Sequence, residues 1–208
     1  MSEEPGQPGE PGVPAKLTAK QRQSQATRRK LLASARAEFS EHGLAGGRVD
    51  RIGERAGVNK RLIYVYFGDK EGLFEEVIRG NRDAVGASVR FDAEDLPGYA
   101  LRLYDYWQEH PDSVRLFWWR NLERPRSTDV EDLAYGRMVG GIGAAQALGQ
   151  VTPAIPAAHV FAFVLGLLQS WAVPSPALSA TTGPDEQARR RASVREAVER
   201  LISTSRAS

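Results

Sequence analysis

The chain has 208 residues, of which 41% are hydrophobic and 26% charged, a composition typical of a soluble protein that buries a core. It contains no cysteine, which excludes disulfide bonds and thiolate metal sites. The net charge of +2 conceals an asymmetry, because residues 16–70 carry 13 Lys and Arg against 5 Asp and Glu, whereas both flanking parts are acidic. This basic segment indicates a polyanionic partner, although a solvated basic face would have the same charge.

The N-terminal residues 1–18 are rich in Pro, Gly and Glu, and we expect them to form a disordered tail. They lack the basic start and apolar run of a signal peptide. The most apolar stretch, residues 160–168, is far shorter than the roughly 20 residues that span a bilayer. A cytoplasmic location without a membrane partner is therefore the default expectation.

Helical periodicity predicts four helices in the first part of the chain, with apolar positions three and four residues apart. They span about residues 19 (or 24) to 40, 49–55, 60–66 and 70–89. Gly43 is placed to close the first helix in a left-handed conformation. Asn59 and Asp69 are good N-caps for the third and fourth.

The same periodicity in the rest of the chain predicts further helices at about residues 96–109, 111–123, 130–148, 156–173 and 184–203. A proline lies near the start of four of them, where its missing N–H is tolerated. Alternating strand patterns are missing. The expected fold is all-α, with an N-terminal three-helix helix-turn-helix domain followed by a larger helical bundle.

Residues 48–67 have the pattern of a helix-turn-helix, in which two short helices flank a turn at Ala56-Gly57-Val58. Gly57 suits the turn because glycine adopts a positive φ without a steric penalty. The outer positions of the second helix carry Lys60, Arg61, Tyr64 and Tyr66. A helix of this length fits the major groove of duplex DNA, where Lys and Arg donate to guanine or to phosphates.

The run from Arg55 to Leu73, RAGVNKRLIYVYFGDKEGL, closely resembles the DNA-binding signature of TetR-type transcriptional regulators. In that family an Ala-Gly-Val turn leads into a short recognition helix. A Leu-Tyr-x-Tyr-Phe segment follows, and Lys-Glu-x-Leu begins the next helix. The resemblance covers about residues 26–78. It implies a homodimeric repressor that binds a palindromic operator in double-stranded DNA and is released by a small ligand.

The resemblance also implies roles for individual residues. Lys60 and Arg61 occupy positions that contact bases or nearby phosphates in the family. Tyr64 and Tyr66 match phosphate-clamping positions, and Lys70 matches a lysine that contacts the phosphate backbone. Each has a plainer interpretation, since exposed lysines and arginines are commonly only solvated and tyrosines commonly line the rim of a core.

Two positions depart from the family pattern. Arg48 stands where the family usually has Thr or Ser as the N-cap of the second helix. An arginine cannot accept an N–H there, but its guanidinium can reach a phosphate. Leu62 replaces a small or polar residue of the recognition helix, and if it faces the groove it would contact bases through apolar atoms.

The C-terminal part is rich in aromatic residues, most of which are expected in a helical core. The family resemblance implies a ligand cavity within this bundle. The candidates for its wall are Trp107, Trp118, Trp119, Met138 and Phe163, and the expected ligand is a small apolar or aromatic molecule. Such cavities are mostly apolar.

The helix that begins near residue 156 is apolar on nearly all faces and must be covered on every side. Packing against a twofold-related copy, together with the last helix, would cover it and make a symmetric dimer. The expected interface residues are Phe161, Val164, Leu168, Val194, Val198 and Leu201.

These features predict residues 1–18 as a tail, 19–68 as the DNA-binding domain with its motif at about 47–67, 69–90 as a connecting helix and 91–208 as a ligand-binding and dimerisation domain. The three histidines form no catalytic or metal-binding motif, so neither an enzyme nor a cofactor or metal site is expected. Two alternatives stay open: a transcriptional activator of the same fold, and a ligand-binding helical protein with a vestigial DNA-binding head.

Overall fold

The computed structural model describes residues 18–124, 126–172, 176–180 and 186–204, and this part of the chain is helical without a strand. The all-α expectation is confirmed. The helices are α1 Ala19–Gly46, α2 Val49–Ala56, α3 Arg61–Phe67, α4 Lys70–Ser88, α5 Leu96–Glu109, α6 Pro111–Glu123, α7 Asp129–Ala147, α8 Ala157–Ala172, α9 Pro176–Ala180 and α10 Glu186–Ile202. We call α1–α4 the head and α5–α10 the body.

Most of these helices begin at or next to the residue that the local sequence signals predict. Asp69 caps α4 by accepting the N–H of Gly72 at 2.7 Å. Helices α5 and α6 have the predicted bounds, each with a proline in its first turn. Of the expected tail only Thr18 is described, and it forms a reciprocal capping box with Gln21 at the start of α1.

The predicted ends differ from the structure at several places. Helix α9 was not predicted; it begins at Pro176, a position where the missing N–H of proline is tolerated. The predicted end of α8 at Val173 and start of the last helix at Pro184 lie outside the described residues. None of the helices in the described ranges is long and apolar enough to cross a membrane.

The head is built around one apolar core. Its most central aromatic pair is Phe39 of α1 and Phe74 of α4, whose rings pack edge to face with centroids 5.2 Å apart. Its buried residues are Leu31, Ala35, Phe39, Leu44, Ile52, Ile63, Leu73, Phe74, Val77, Ile78 and Leu116. Because Leu116 belongs to α6, the head core continues into the body.

Helix α1 bends at Gly43, which has a φ of 68° as the sequence predicts, but the helix then resumes and ends at Gly46. The reason lies in α6. The carboxylate of Glu123 accepts the N–H groups of Leu44 and Ala45, the latter at 2.9 Å, and so caps the resumed turn. A Cβ at Gly43 would lie 2.6 Å from the Trp119 ring, so the bend also needs glycine to admit that indole.

The body has its own core, in which α8 packs against α5, α7 and α10. Aromatic rings from four segments meet there: the centroid of Phe161 lies 5.9 Å from Phe91, 6.5 Å from Tyr99 and 5.6 Å from Tyr135. Desolvation raises the pKa of Tyr99 to about 12. These contacts cover the inner face of α8 within a single chain.

The residues predicted for the dimer interface all pack on this core. Five of the six are buried inside the single chain, and Leu201 packs partly buried on the same core. The five are Phe161, Val164, Leu168, Val194 and Val198. A helix that is apolar on all faces can be covered by helices of its own chain as well as by a partner.

Two of the predicted cavity-wall residues lie outside the body core. Trp119 packs on the head core, and its indole N–H donates to the carbonyl of Ser40 at 3.3 Å. Phe163 is 51% exposed on the outer side of α8. Helical periodicity places residues on faces but does not say which neighbour each face meets.

Candidate nucleic-acid interface

The turn between α2 and α3 has the predicted geometry. Gly57 adopts the left-handed conformation with a φ of 65°. The N–H of Val58 donates to the carbonyl of Gly53 at 3.1 Å, which closes the turn. The N-cap residue of α3 is Lys60 rather than the predicted Asn59, because the helix begins one residue later, at Arg61. The side-chain carbonyl of Asn59 nevertheless accepts the N–H of Arg61 at 2.9 Å. The two helices are thereby held at a fixed crossing.

Helix α2 is anchored to α1 by a fully buried carboxylate. Glu38 accepts the backbone N–H of Arg48 at 2.9 Å and the Nε–H of Arg51 at 2.8 Å. Burial raises the pKa of Glu38, but hydrogen bonds from Arg51 and Arg48 and the guanidinium charge outweigh it, so the pKa is lowered overall. The anion therefore persists inside the head and fixes the start of α2.

Helix α3 has a buried side and an exposed side. Ile63 is fully buried in the head core, with Leu62, Tyr66 and Phe67 packed partly buried against the same core. The exposed side carries Lys60, Arg61, Tyr64 and Val65. The structure therefore brings three of the seven predicted DNA-contacting residues, Lys60, Arg61 and Tyr64, onto one solvent-facing surface, which we call the α3 face.

The two predicted base-contacting cations differ in their surroundings. Arg61 is exposed and forms no ion pair with any residue that the structure describes. Lys60 is also exposed, but its ammonium is ion-paired with Asp50 of α2. That hydrogen bond and the charge of Asp50 raise the pKa of Lys60.

The two tyrosines differ as well. Tyr64 is 52% exposed, and its hydroxyl has no hydrogen-bond partner within the described ranges. The hydroxyl of Tyr66 lies 3.0 Å from the hydroxyl of Ser24 on α1, and its ring packs partly buried beside Phe67. Tyr64 is therefore the more available of the two for an external ligand.

Arg48 and Lys70 lie together beside the start of α2. The Nζ of Lys70 donates to the carbonyl of Gly47 at 3.3 Å, immediately before Arg48. Arg48 is the N-cap residue of α2 and, as the sequence predicts, its side chain caps nothing. The first N–H groups of α2 therefore lie beside two cations, and we call this group of donors and cations the corner at the start of α2. This arrangement can attract an anion.

Leu62 lies at the edge of the α3 face. Its side chain is partly buried against the head core, and this packing orients it away from open solvent. Sequence reasoning missed Val65, which at 73% exposure presents the larger apolar surface on α3. It also missed Asp50 and Glu38, because their partners lie 10 and 13 residues away across a turn, where no single-helix spacing links them.

The remaining predicted cavity residues lie in or on the body core. Trp107 is buried with its ring centroid 6.1 Å from that of Phe117, and Met138 packs partly buried on the core. The indole N–H of Trp118 is buried and has no acceptor among the described residues. One surface depression of about 240 Å³ lies between α4 and α7, and another of about 420 Å³ lies between α1 and α6. None of the predicted cavity residues lines either of them.

Metal-binding side chains are not grouped in the described part of the chain, where no three His, Asp or Glu residues meet in a way that could hold an ion.

Comparison with known proteins identifies both halves of the molecule. A family model described as "Bacterial regulatory proteins, tetR family" matches residues 31–77. A second, described as "Tetracyclin repressor-like, C-terminal domain", matches residues 95–200. The two matches cover the head core and nearly the whole body.

Individual relatives agree with the family models. The chain is 37% identical over 160 residues to the HTH-type transcriptional repressor SCO4008 of Streptomyces coelicolor, covering 74% of this chain and 82% of that protein. It is 33% identical over 161 residues to the HTH-type transcriptional repressor NicS of Pseudomonas putida, covering 70% and 75%. The fold of the transcriptional regulator SCO4942 of Streptomyces coelicolor matches with a TM-score of 0.77 at 33% identity, covering 86% of this chain and 99% of that one.

The buried carboxylate of Glu38 leads to a pH-dependent prediction. Because its folded pKa lies below the ordinary value of 4.5, the unfolded chain binds more protons in the acid range, and the stabilisation is lost as pH falls through the folded pKa. Glu38→Gln is expected to lower the free energy of unfolding by about 1–3 kcal/mol at neutral pH. The difference from wild type should shrink as the pH falls below 4.5. Urea denaturation across the pH range measures both.

Glu54→Gln is the matched control, since Glu54 is an exposed carboxylate on α2 without an ion pair within the described ranges. It should leave the unfolding free energy nearly unchanged at neutral pH. Equal losses in the two variants would show that Glu38 is not an anchor.

Proposed function

Because this chain belongs to the TetR family of bacterial transcriptional regulators, we propose that it is a repressor that binds a palindromic operator as a homodimer and is released by a small apolar or aromatic ligand. Relatives 37% and 33% identical to it are named as transcriptional repressors. The single observation that carries the DNA-binding part is the α3 face, where Arg61 and Tyr64 are exposed on a helix whose other side is locked into the head core.

The α3 face has the chemistry that a major groove requires. Arg61 can form the bidentate hydrogen bonds that distinguish guanine from other bases. Tyr64 can donate to a phosphate or pack on a thymine methyl group. Lys60 lies at the N-terminal end of α3, the end that meets base edges in helix-turn-helix proteins, with its ammonium paired to Asp50. We assign base contact to Arg61 and Tyr64, with Lys60 and Leu62 at the edges of the contact.

The corner at the start of α2 is suited to hold the DNA backbone. Arg48, Lys70 and the free N–H groups of α2 can bind a phosphate together, and such contacts set the register of the protein on the duplex. Tyr66 can join them only by giving up or sharing its hydrogen bond with Ser24. We assign these residues to phosphate binding.

We assign the binding site of the releasing ligand to the surroundings of Trp118. Its buried indole N–H has no acceptor among the described residues, a situation that costs about 1–3 kcal/mol, and a ligand with an acceptor group would remove that cost. Trp107 and Met138 supply apolar surface in the same core. Trp118 faces the body whereas its neighbour Trp119 packs on the head. A ligand that displaces α6 would therefore move α1 and the head with it.

The dimer interface is assigned to the outer side of α8. Its exposed residues recur every three or four positions and are small or apolar apart from a histidine and a serine: Ala158, His159, Ala162, Phe163, Gly166 and Ser170. The outer side of α10 is mostly charged, with pairs such as Arg195–Glu199. The apolar stripe on α8 is therefore the better centre for a twofold contact.

Operator binding tests the α3 face. Duplexes selected by the wild-type protein from a random pool serve as the operator, and fluorescence anisotropy measures affinity. Arg61→Gln should weaken operator binding by about 1–3 kcal/mol, because it removes a bidentate base contact, and Tyr64→Ala should also weaken it. For wild type, log K should fall with log salt by about 0.9 per phosphate neutralised.

Arg137→Gln removes the same charge from an exposed position on α7 and is expected to bind normally. Unchanged affinity in both α3 variants would exclude the α3 face, and a wild-type protein that selects no sequence would support the vestigial-head alternative. Placing the selected operator over a reporter promoter separates the two regulatory modes: a repressor lowers expression, whereas a rise identifies an activator.

The Trp118 assignment is tested with a library of aromatic and apolar compounds screened for loss of operator binding. Trp118→Phe keeps the ring but removes the N–H donor, so a compound that releases wild type should be needed at several-fold higher concentration. Trp171→Phe removes an indole N–H elsewhere in the body and is the control. Identical dose responses in the two variants would remove Trp118 from the ligand site.

Oligomeric state tests the α8 stripe. Phe163→Lys places a charge on its largest apolar residue and is expected to shift the protein from twice the chain mass towards the monomer in sedimentation equilibrium. Leu122→Lys makes the same kind of change at a 71% exposed leucine of α6 and should leave the mass unchanged. A dimer of equal stability in both variants would place the interface on another surface.

A further inference from the structure

The ion pair between Asp50 and Lys60 connects the two helices of the DNA-binding motif, and we propose that Asp50 is a specificity-determining residue. By holding the Lys60 ammonium against α2, Asp50 withholds this cation from nonspecific phosphate contact and leaves Arg61 and Tyr64 to distinguish sequences. The inference rests on the DNA-binding function proposed above and adds to it the role of a carboxylate.

The path of the Lys60 side chain supports this role. A Cβ at Gly53 would lie only 3.3 Å from the Cα and Cβ of Lys60, so the backbone of Lys60 sits directly on α2. Asp50 is three residues before Gly53 and therefore lies on the same side of α2, one turn towards its N-terminus. The side chain of Lys60 thus extends along α2 from Gly53 to Asp50, where its ammonium is bound.

The position of Asp50 is itself fixed. The next residue, Arg51, donates to the buried carboxylate of Glu38, and the N–H of Arg48 donates to the same carboxylate. Helix α2 therefore cannot rotate without breaking this anchor. Asp50 stays beside Lys60 because the backbone that carries it is held in place.

The neighbouring cation has no such restraint. Arg61 is exposed and has no ion-pair partner within the described ranges, although it is adjacent to Lys60 in the chain. Two adjacent cations of the same face therefore differ: one is neutralised by a carboxylate of its own protein and the other is not.

The ion pair is weak enough for DNA to open it, yet it can still favour specific over nonspecific complexes. Both partners are more than half exposed, and such pairs contribute about 0–1 kcal/mol, so DNA can open the pair. A nonspecific phosphate must compete with Asp50 for Lys60 and also meets the charge of Asp50. The base contacts of Arg61 in an operator are not subject to this competition. Asp50 therefore disfavours nonspecific complexes more than specific ones.

The test compares Asp50→Asn with wild type on the selected operator and on a scrambled duplex of the same length and composition, by anisotropy at several salt concentrations. Affinity for the scrambled duplex should rise about 3- to 10-fold, and its log–log salt slope should steepen by about 0.9 as Lys60 gains one phosphate. Operator affinity should rise less, so the ratio between the two affinities should fall. Circular dichroism verifies that each variant is folded.

Two further variants identify the cause. Lys60→Gln combined with Asp50→Asn should abolish the added salt dependence, because no freed ammonium remains. Glu54→Gln removes a carboxylate from the same helix without releasing a cation, and it should leave the affinity ratio unchanged.

Other outcomes would overturn the proposal. Equal gains on both duplexes, or an equal effect from Glu54→Gln, would mean that Asp50 acts only through general charge. Weaker binding to both duplexes would mean that Asp50 supports the interface directly. Failure of the wild-type protein to prefer any operator would count against the proposed function itself, and that result is distinguishable from each of these.

Discussion

Helix α1 is packed on two sides, and this packing positions the rest of the DNA-binding apparatus. One side carries the apolar residues of the head core, where Phe39 meets Phe74. The other side meets α6, whose Trp119 donates to the Ser40 carbonyl and whose Glu123 caps the turn beyond Gly43. A helix held in this way cannot shift relative to α6 without breaking hydrogen bonds and close ring contacts. Helix α6 is therefore fixed to α1 and, through it, to the head.

Helix α1 holds α2 and the α3 face in position through buried or partly buried contacts. Glu38 binds the start of α2, and Ser24 binds the Tyr66 hydroxyl of α3. These contacts lie beneath the surface that faces solvent, so they fix the backbone while leaving Arg61 and Tyr64 uncommitted. A surface of this kind contacts DNA with little loss of backbone entropy, because the ordering was completed on folding.

Sequence patterns predicted the elements and their order well. Local chemistry accounts for the positive φ of Gly57, the cap at Asp69 and the bounds of α5 and α6. It acts within a few residues, so it can be read without knowing the tertiary contacts. The helix-turn-helix that carries the candidate DNA contacts was also recognisable, since it stands in a short, specific motif. Sequence alone does not assign dimer or cavity residues, because an apolar side chain such as Val164 is equally suited to its own chain's core, a partner or a ligand, and the structure places Val164 in the core.

The basic segment and the helix-turn-helix pattern of residues 48–67 were determined by the sequence itself, since helix periodicity and a glycine turn need no distant partner. Only the tertiary structure decided which cations of that motif are free. Lys60 and Arg61 are adjacent and chemically alike in the sequence, yet folding brings Asp50 against one of them and leaves the other exposed. The physical reason is that ion pairing depends on distance in space, and the crossing of α2 and α3 sets that distance across ten residues of chain.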